Sequence, residues 1–165
     1  MPKSRVEMSA LPSLNGWGKT VRAGDSTDNP GDVMEGYSRM AISRARAGQT
    51  DLVWETLPVP PDVRTRPTYE FTFAGGMGYP QQPQAAFALS LNGKKIIDLP
   101  QIVWKDHEWK GKDCVLRYAR EKSTEELGRF TLTVPSSLLE PGKPATLGVT
   151  AEAKGSRRWF AVMEP

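Results

Sequence analysis

A two-residue period runs through the chain and constrains its fold more than any other feature. In TYEFTFA (68–74), Tyr69, Phe71 and Phe73 share one phase, and Glu70 and Thr72 the other. The same alternation runs through AAFALSL (85–91), DCVLRYA (113–119), GRFTLTV (128–134) and ATLGVTA (145–151). Successive side chains of a strand point to opposite faces, so alternating apolar and polar residues mark antiparallel strands with one dry face. YSRMAIS (37–43), DLVWET (51–56), KIIDL (95–99) and RRWFAVM (157–163) are weaker strands of the same kind. No window sustains a helical pattern, and SSLLE (136–140), stopped by Pro141-Gly142, offers a single turn. The prediction is an all-β fold of two packed antiparallel sheets, a β-sandwich.

Punctuation supports this reading. Asn92-Gly93 lies between Leu91 and Lys94, and both of its positions favour positive φ, which predicts a two-residue hairpin turn joining 85–91 to 95–99. The stretch LPVPPDVRTRP (57–67) holds too much proline for a helix or central strand and should cross an edge or end of a sheet. AGGMGY (74–79) lacks the Lys-Ser/Thr of a phosphate loop and reads as a long flexible hairpin loop. The 165 residues are enough for one domain with a real core, here 16–165, preceded by a loose arm over 1–15. The single cysteine, Cys114, excludes an intrachain disulfide and sits on the apolar phase of a strand as a small buried residue.

Charge narrows the partners. The formal net charge is +3, with acids and bases interleaved in KDHEWKGKD (105–113) and REKSTEE (120–126). Only Lys154, Arg157 and Arg158 form a basic cluster, so the dense stripe of a nucleic-acid footprint is missing. No stretch approaches the roughly 20 apolar residues of a membrane span. The segment MPKSRVEMSALPSL has no apolar core of the signal-peptide kind. Either the protein is cytoplasmic, or this chain is a processed or excised piece of a secreted one; the expectation is the second, an extracellular or periplasmic protein.

FALSLNGKKIIDL (87–99) and GRFTLTVPSSLLEPGKPATLGV (128–149) resemble the galactose-binding-like jelly-roll domains that accompany glycoside hydrolases, polysaccharide lyases and other carbohydrate-active enzymes. In that family a strand ending in Asn-Gly opens a hairpin. A later strand ending in Val-Pro leads through a short turn to a final strand, as in VPSSLLEPGKPATLGV (134–149). Pro144 or Ala145 stands where the family commonly has asparagine. The resemblance covers about half the chain and implies a jelly roll, and fold alone assigns no task.

Residues with binding chemistry concentrate in IVWKDHEWKGK (102–112), read as a loop. Indole rings stack on the apolar C–H faces of sugars, and carboxylate, imidazole and ammonium groups bond the hydroxyls. Trp104 and Trp109 would stack, with Asp106, His107 and Lys110 as polar contacts; the alternative is that the tryptophans cap the sandwich. In RRWFAVM, Phe160 and Val162 point inward and Trp159, Ala161 and Met163 outward, so Trp159 is a platform for a ligand or a neighbouring domain. A strand buried on both faces would instead make Trp159 core. GDSTDNPGD (24–32) sets Asp25, Asp28, Asn29 and Asp32 within eight positions, a set that a structural calcium could use, although the same residues make ordinary turns.

Catalysis finds little support. One histidine excludes a multi-histidine metal site, and no Gly-x-Ser-x-Gly elbow is present. Glu125-Glu126 and Asp106/Glu108 suit glycoside hydrolysis only if they face each other across a cleft. The jelly-roll lyases carry a glutamine–histidine motif, whereas Gln101-Ile102-Val103 has valine at the histidine position. The expected function is a non-catalytic carbohydrate-binding or accessory module whose partner is a glycan. The second expectation is a structural domain packing through Trp159 and Met163 against a catalytic domain of the same polypeptide, or against its own copy.

Overall fold

In the computed structural model the described residues are 14–28, 33, 36–44, 51–78, 87–100, 106–120, 127–151 and 159–165. They form twelve strands: β1 (Lys19–Arg22), β2 (Asp25–Thr27), β3 (Arg39–Arg44), β4 (Asp51–Pro58), β5 (Thr68–Gly78), β6 (Phe87–Leu91), β7 (Lys94–Leu99), β8 (His107–Lys110), β9 (Val115–Arg120), β10 (Leu127–Pro135), β11 (Pro144–Ala151) and β12 (Trp159–Glu164). Every pairing is antiparallel. The smaller sheet has the order β1-β4-β11-β6-β7 and the larger β2-β3-β12-β5-β10-β9-β8. The protein is a two-sheet antiparallel β-sandwich, as the periodicity predicts.

The predicted inward residues fill the gap between the sheets. Phe71, Phe73, Leu89, Leu116, Phe130, Leu132, Val134, Leu147 and Val149 are fully buried. An aromatic chain crosses the core from sheet to sheet. Phe87 of β6 meets Phe160 of β12 at 6.3 Å, Phe160 meets Phe130 at 5.0 Å, Phe130 stacks on Phe73 at 5.2 Å, and Phe73 meets the Trp54 edge at 5.2 Å. Offset and edge-on rings at these separations attract beyond their area burial.

The turns also follow the sequence. Asn92 and Gly93 have φ of 52° and 84° between Leu91 and its partner Lys94. Asn92 further accepts the Thr146 N–H on its side chain (2.9 Å) and donates its own N–H to Thr146 O (2.7 Å), tying the hairpin to β11. The proline-rich segment closes one end of the sandwich: Val59 and Val63 are buried, and Arg64 donates to Leu139 O. SSLLE makes a short 3-10 turn over Ser136–Leu138. Asn15 and Gly16 bridge the sheets. Thr72 N–H donates to the Asn15 side chain, Gly16 N–H to Thr72 O, and the Trp54 indole to Gly16 O. Leu14 and Asn15, placed by the sequence reading in a loose arm, are thus packed on the sandwich, and residues 1–13 lie outside the described ones.

Three local expectations need correction. Residues 74–78 of AGGMGY continue β5 and are no loop; Tyr79 is outside the described residues. The glycines serve close approach: a Cβ on Gly75 would stand 2.1 Å from Ala161 O, and one on Gly78 would stand 1.9 Å from the Trp159 indole nitrogen. HEWK is strand β8, hidden in the sequence because the charges around it mask its short alternation. Finally, β12 is buried at every position from Trp159 to Glu164, so its outward phase is dry as well.

Candidate functional site

β8 pairs along β9 and forms one edge of the larger sheet, so its residues divide between the two faces. Trp109 points inward and is 5% exposed within the core, with His107 half-buried edge-on against it at 4.7 Å. Trp109 therefore seals the sandwich edge. Glu108 and Lys110 point outward and are exposed.

On the outer face, register assembles three rows across four strands. One row runs Thr72, Thr131, Arg117 and Glu108 across β5, β10, β9 and β8. The next runs Glu70, Thr133, Val115 and Lys110. The third runs Ala74, Arg129 and Ala119, and Asp106 sits one residue before β8 at its outer end. Arg117 Nε donates to Glu108 Oε2 at 2.8 Å, and Lys110 Nζ lies 3.5 Å from Glu108 Oε1. Asp106 Oδ1 accepts the Arg120 N–H at 2.9 Å. Two polar atoms of β10 on this face, Arg129 Nε and Thr133 Oγ1, are shut off from solvent without a hydrogen-bond partner. An unpaired buried donor or acceptor is unfavourable by about 1–3 kcal/mol, so each is an unmet demand.

Of the residues singled out from sequence, the structure thus brings Asp106 and Lys110 onto one outer face and turns His107 and Trp109 away from it. Trp104 lies outside the described residues. Trp159 is four strands from β8 and 7% exposed, lying with Met40, Ile42, Ala161 and Met163 in an apolar cluster on the outer side of β3 and β12. Its indole occupies the space left by the absent side chain of Gly78. Arg117, Arg129, Thr131 and Thr133 were missed; they fall on the polar phase of otherwise ordinary strands, and only the cross-strand register puts them together.

The acidic stretch is partly described. Asp25 Oδ2 accepts Arg44 Nε at 2.7 Å, and its Oδ1 accepts the Ser26 N–H at 2.8 Å, which commits that carboxylate. Asp28 is exposed, and Asn29 and Asp32 are outside the described residues, as are Glu125 and Glu126. Among the described residues no group of three His, Cys, Asp or Glu side chains is placed to hold a metal ion. Burial pushes the Cys114 thiol above its ordinary pKa, and the neighbouring Asp113 charge adds to the shift, so the thiolate is disfavoured at neutral pH.

Comparison with protein-family models, with curated proteins and with solved structures finds no match for this chain.

Proposed function

We propose that this sandwich is a non-catalytic carbohydrate-binding or accessory module that recognises a glycan on the outer face of β5, β10, β9 and β8. Side chains fill the gap between the sheets, so an extended ligand is left to a sheet face. The observation that carries the reading is the three-row polar field. It alternates hydroxyls, guanidinium groups and carboxylates with the small apolar surfaces of Ala119 and Val115. Sugar hydroxyls pair with such planar charged groups and threonines, and their C–H patches rest on small apolar side chains. The resemblance of 87–99 and 128–149 to galactose-binding-like jelly rolls points the same way, toward a module of a secreted carbohydrate-active protein.

The reading through an interface formed by Trp159 and Met163 loses its anchors, because both side chains are already buried within the chain. The test is a glycan array followed by amide chemical-shift mapping with the best sugar. The expected shifts cluster at Arg117, Ala119, Arg129, Thr131 and Thr133. Silence on the array, or shifts confined to the smaller sheet, would overturn the assignment.

A further inference from the structure

One cation of the outer face is left over. Arg117 and Lys110 both lie against Glu108, and Asp106 is engaged by the Arg120 backbone. The Arg129 side chain has no hydrogen bond or ion pair among the described residues. Its Nε is closed off from solvent without a partner, while the residue as a whole is half-buried. Among the described residues, the other acids of the face sit on distant backbone positions. Asp106 is two strands away, about 10 Å, and Glu70 stands two rows down, about 13 Å along the sheet.

We infer that Arg129 receives a carboxylate of the ligand, so that the glycan is built from uronic acids. The inference rests on the carbohydrate-binding reading above and deepens it. A guanidinium presents parallel N–H groups that match both oxygens of a carboxylate, and a pair of this kind is stronger and more directional than a neutral contact. Partial burial of the arginine lowers the effective dielectric around it, which raises the attraction for an anion over that of a fully solvated cation. The neighbours suit a sugar acid. Ala119 lies opposite Arg129 on β9 and is exposed, offering a flat floor, and Thr131 follows two residues along β10 on the same face. Arg117 is the diagonal neighbour, about 7–8 Å away, with its charge already balanced by Glu108, so it adds hydrogen bonds without calling for a second anion.

Calorimetric titration with oligomers of galacturonate, glucuronate and mannuronate, each beside its methyl ester, tests the inference. At least one acid should bind ten-fold or more tightly than its ester, the preference should shrink as salt is raised, and the Arg129 Nε–H resonance should move on binding. Arg129→Gln should erase the preference while leaving binding of the ester, and Arg129→Lys should keep part of it. Equal binding of acid and ester would overturn the inference and leave the carbohydrate reading standing. So would a preference that survives in Arg129→Gln, or tighter binding of polyglutamate than of any sugar acid. Silence toward every sugar would overturn both readings. Should Arg129→Gln fail to fold, the Nε–H resonance of the native protein decides, and no shift under saturating acid counts against the inference.

Discussion

The outer face of the larger sheet is two surfaces joined along β5. Toward β3 and β12 it carries Met40, Ile42, Trp159, Ala161 and Met163, all buried, and the same dry cluster takes in Ala74 of β5 and Leu127 at the start of β10. Toward β10, β9 and β8 it carries threonines, arginines and carboxylates, with Arg117, Ala119, Glu108 and Lys110 open to solvent. The strands on the two sides obey the same pleat. The difference lies in what covers the second face: where it is covered, both phases turn apolar, and where it is wet the phases stay distinct. A sheet can therefore hold a dry core and a wet polar surface on the same side.

The sharpest way to break that contrast is to hollow out the dry half. Trp159→Ala should lower stability by about 3–5 kcal/mol in urea unfolding, the range for a buried aromatic. A loss below about 1 kcal/mol would mean that the cluster on β12 is no core. Gly75→Ala should be destabilising by about 1–3 kcal/mol, since its methyl would meet the Ala161 carbonyl, while the amide pattern of the wet half stays unchanged. Within the wet half the sign should reverse. Arg129→Met keeps the aliphatic stem and deletes the unpartnered Nε, so melting should show unchanged stability or a gain of up to about 1 kcal/mol. Glu108→Gln, which breaks exposed ion pairs, should shift stability by no more than about 1 kcal/mol. Cys114 should resist a thiol reagent in the native protein even at mildly alkaline pH and react only on unfolding. Rapid native labelling would contradict its burial.

The same contrast explains what the sequence could show. Alternation identified β9, β10, β11 and the first half of β5 because their second phase is less buried, and β6 although Ala88 is buried and Ser90 half-buried; Asn92-Gly93 fixed a hairpin because its backbone demands positive φ. It also set the phase of β12 correctly, with Phe160 and Val162 inward, yet Trp159 was read as open. Exposure of a phase depends on what packs over it, and one strand's pattern carries no record of that. The glycines of β5 misled for a related reason: composition favours a loop, but close approach of β12 and Trp159 requires them. The candidate face was legible only at its edge, through Asp106 and Lys110. Its centre consists of one arginine and a few threonines from separate strands, residues without local signature that acquire meaning from register alone.

The position of β12 has a consequence for how the molecule comes into being. This strand, the latest in chain order, is wedged between β3 and β5. Until residues 159–164 have left the ribosome, β3 and β5 each keep a raw edge of unpaired amides and carbonyls, the kind of edge that recruits other chains. Zipping must then proceed across 115 to 125 residues of chain to reach β3 and 81 to 87 to reach β5, which places such a topology among slow folders. A nascent or truncated chain lacking this last wedge should be far stickier than the finished protein.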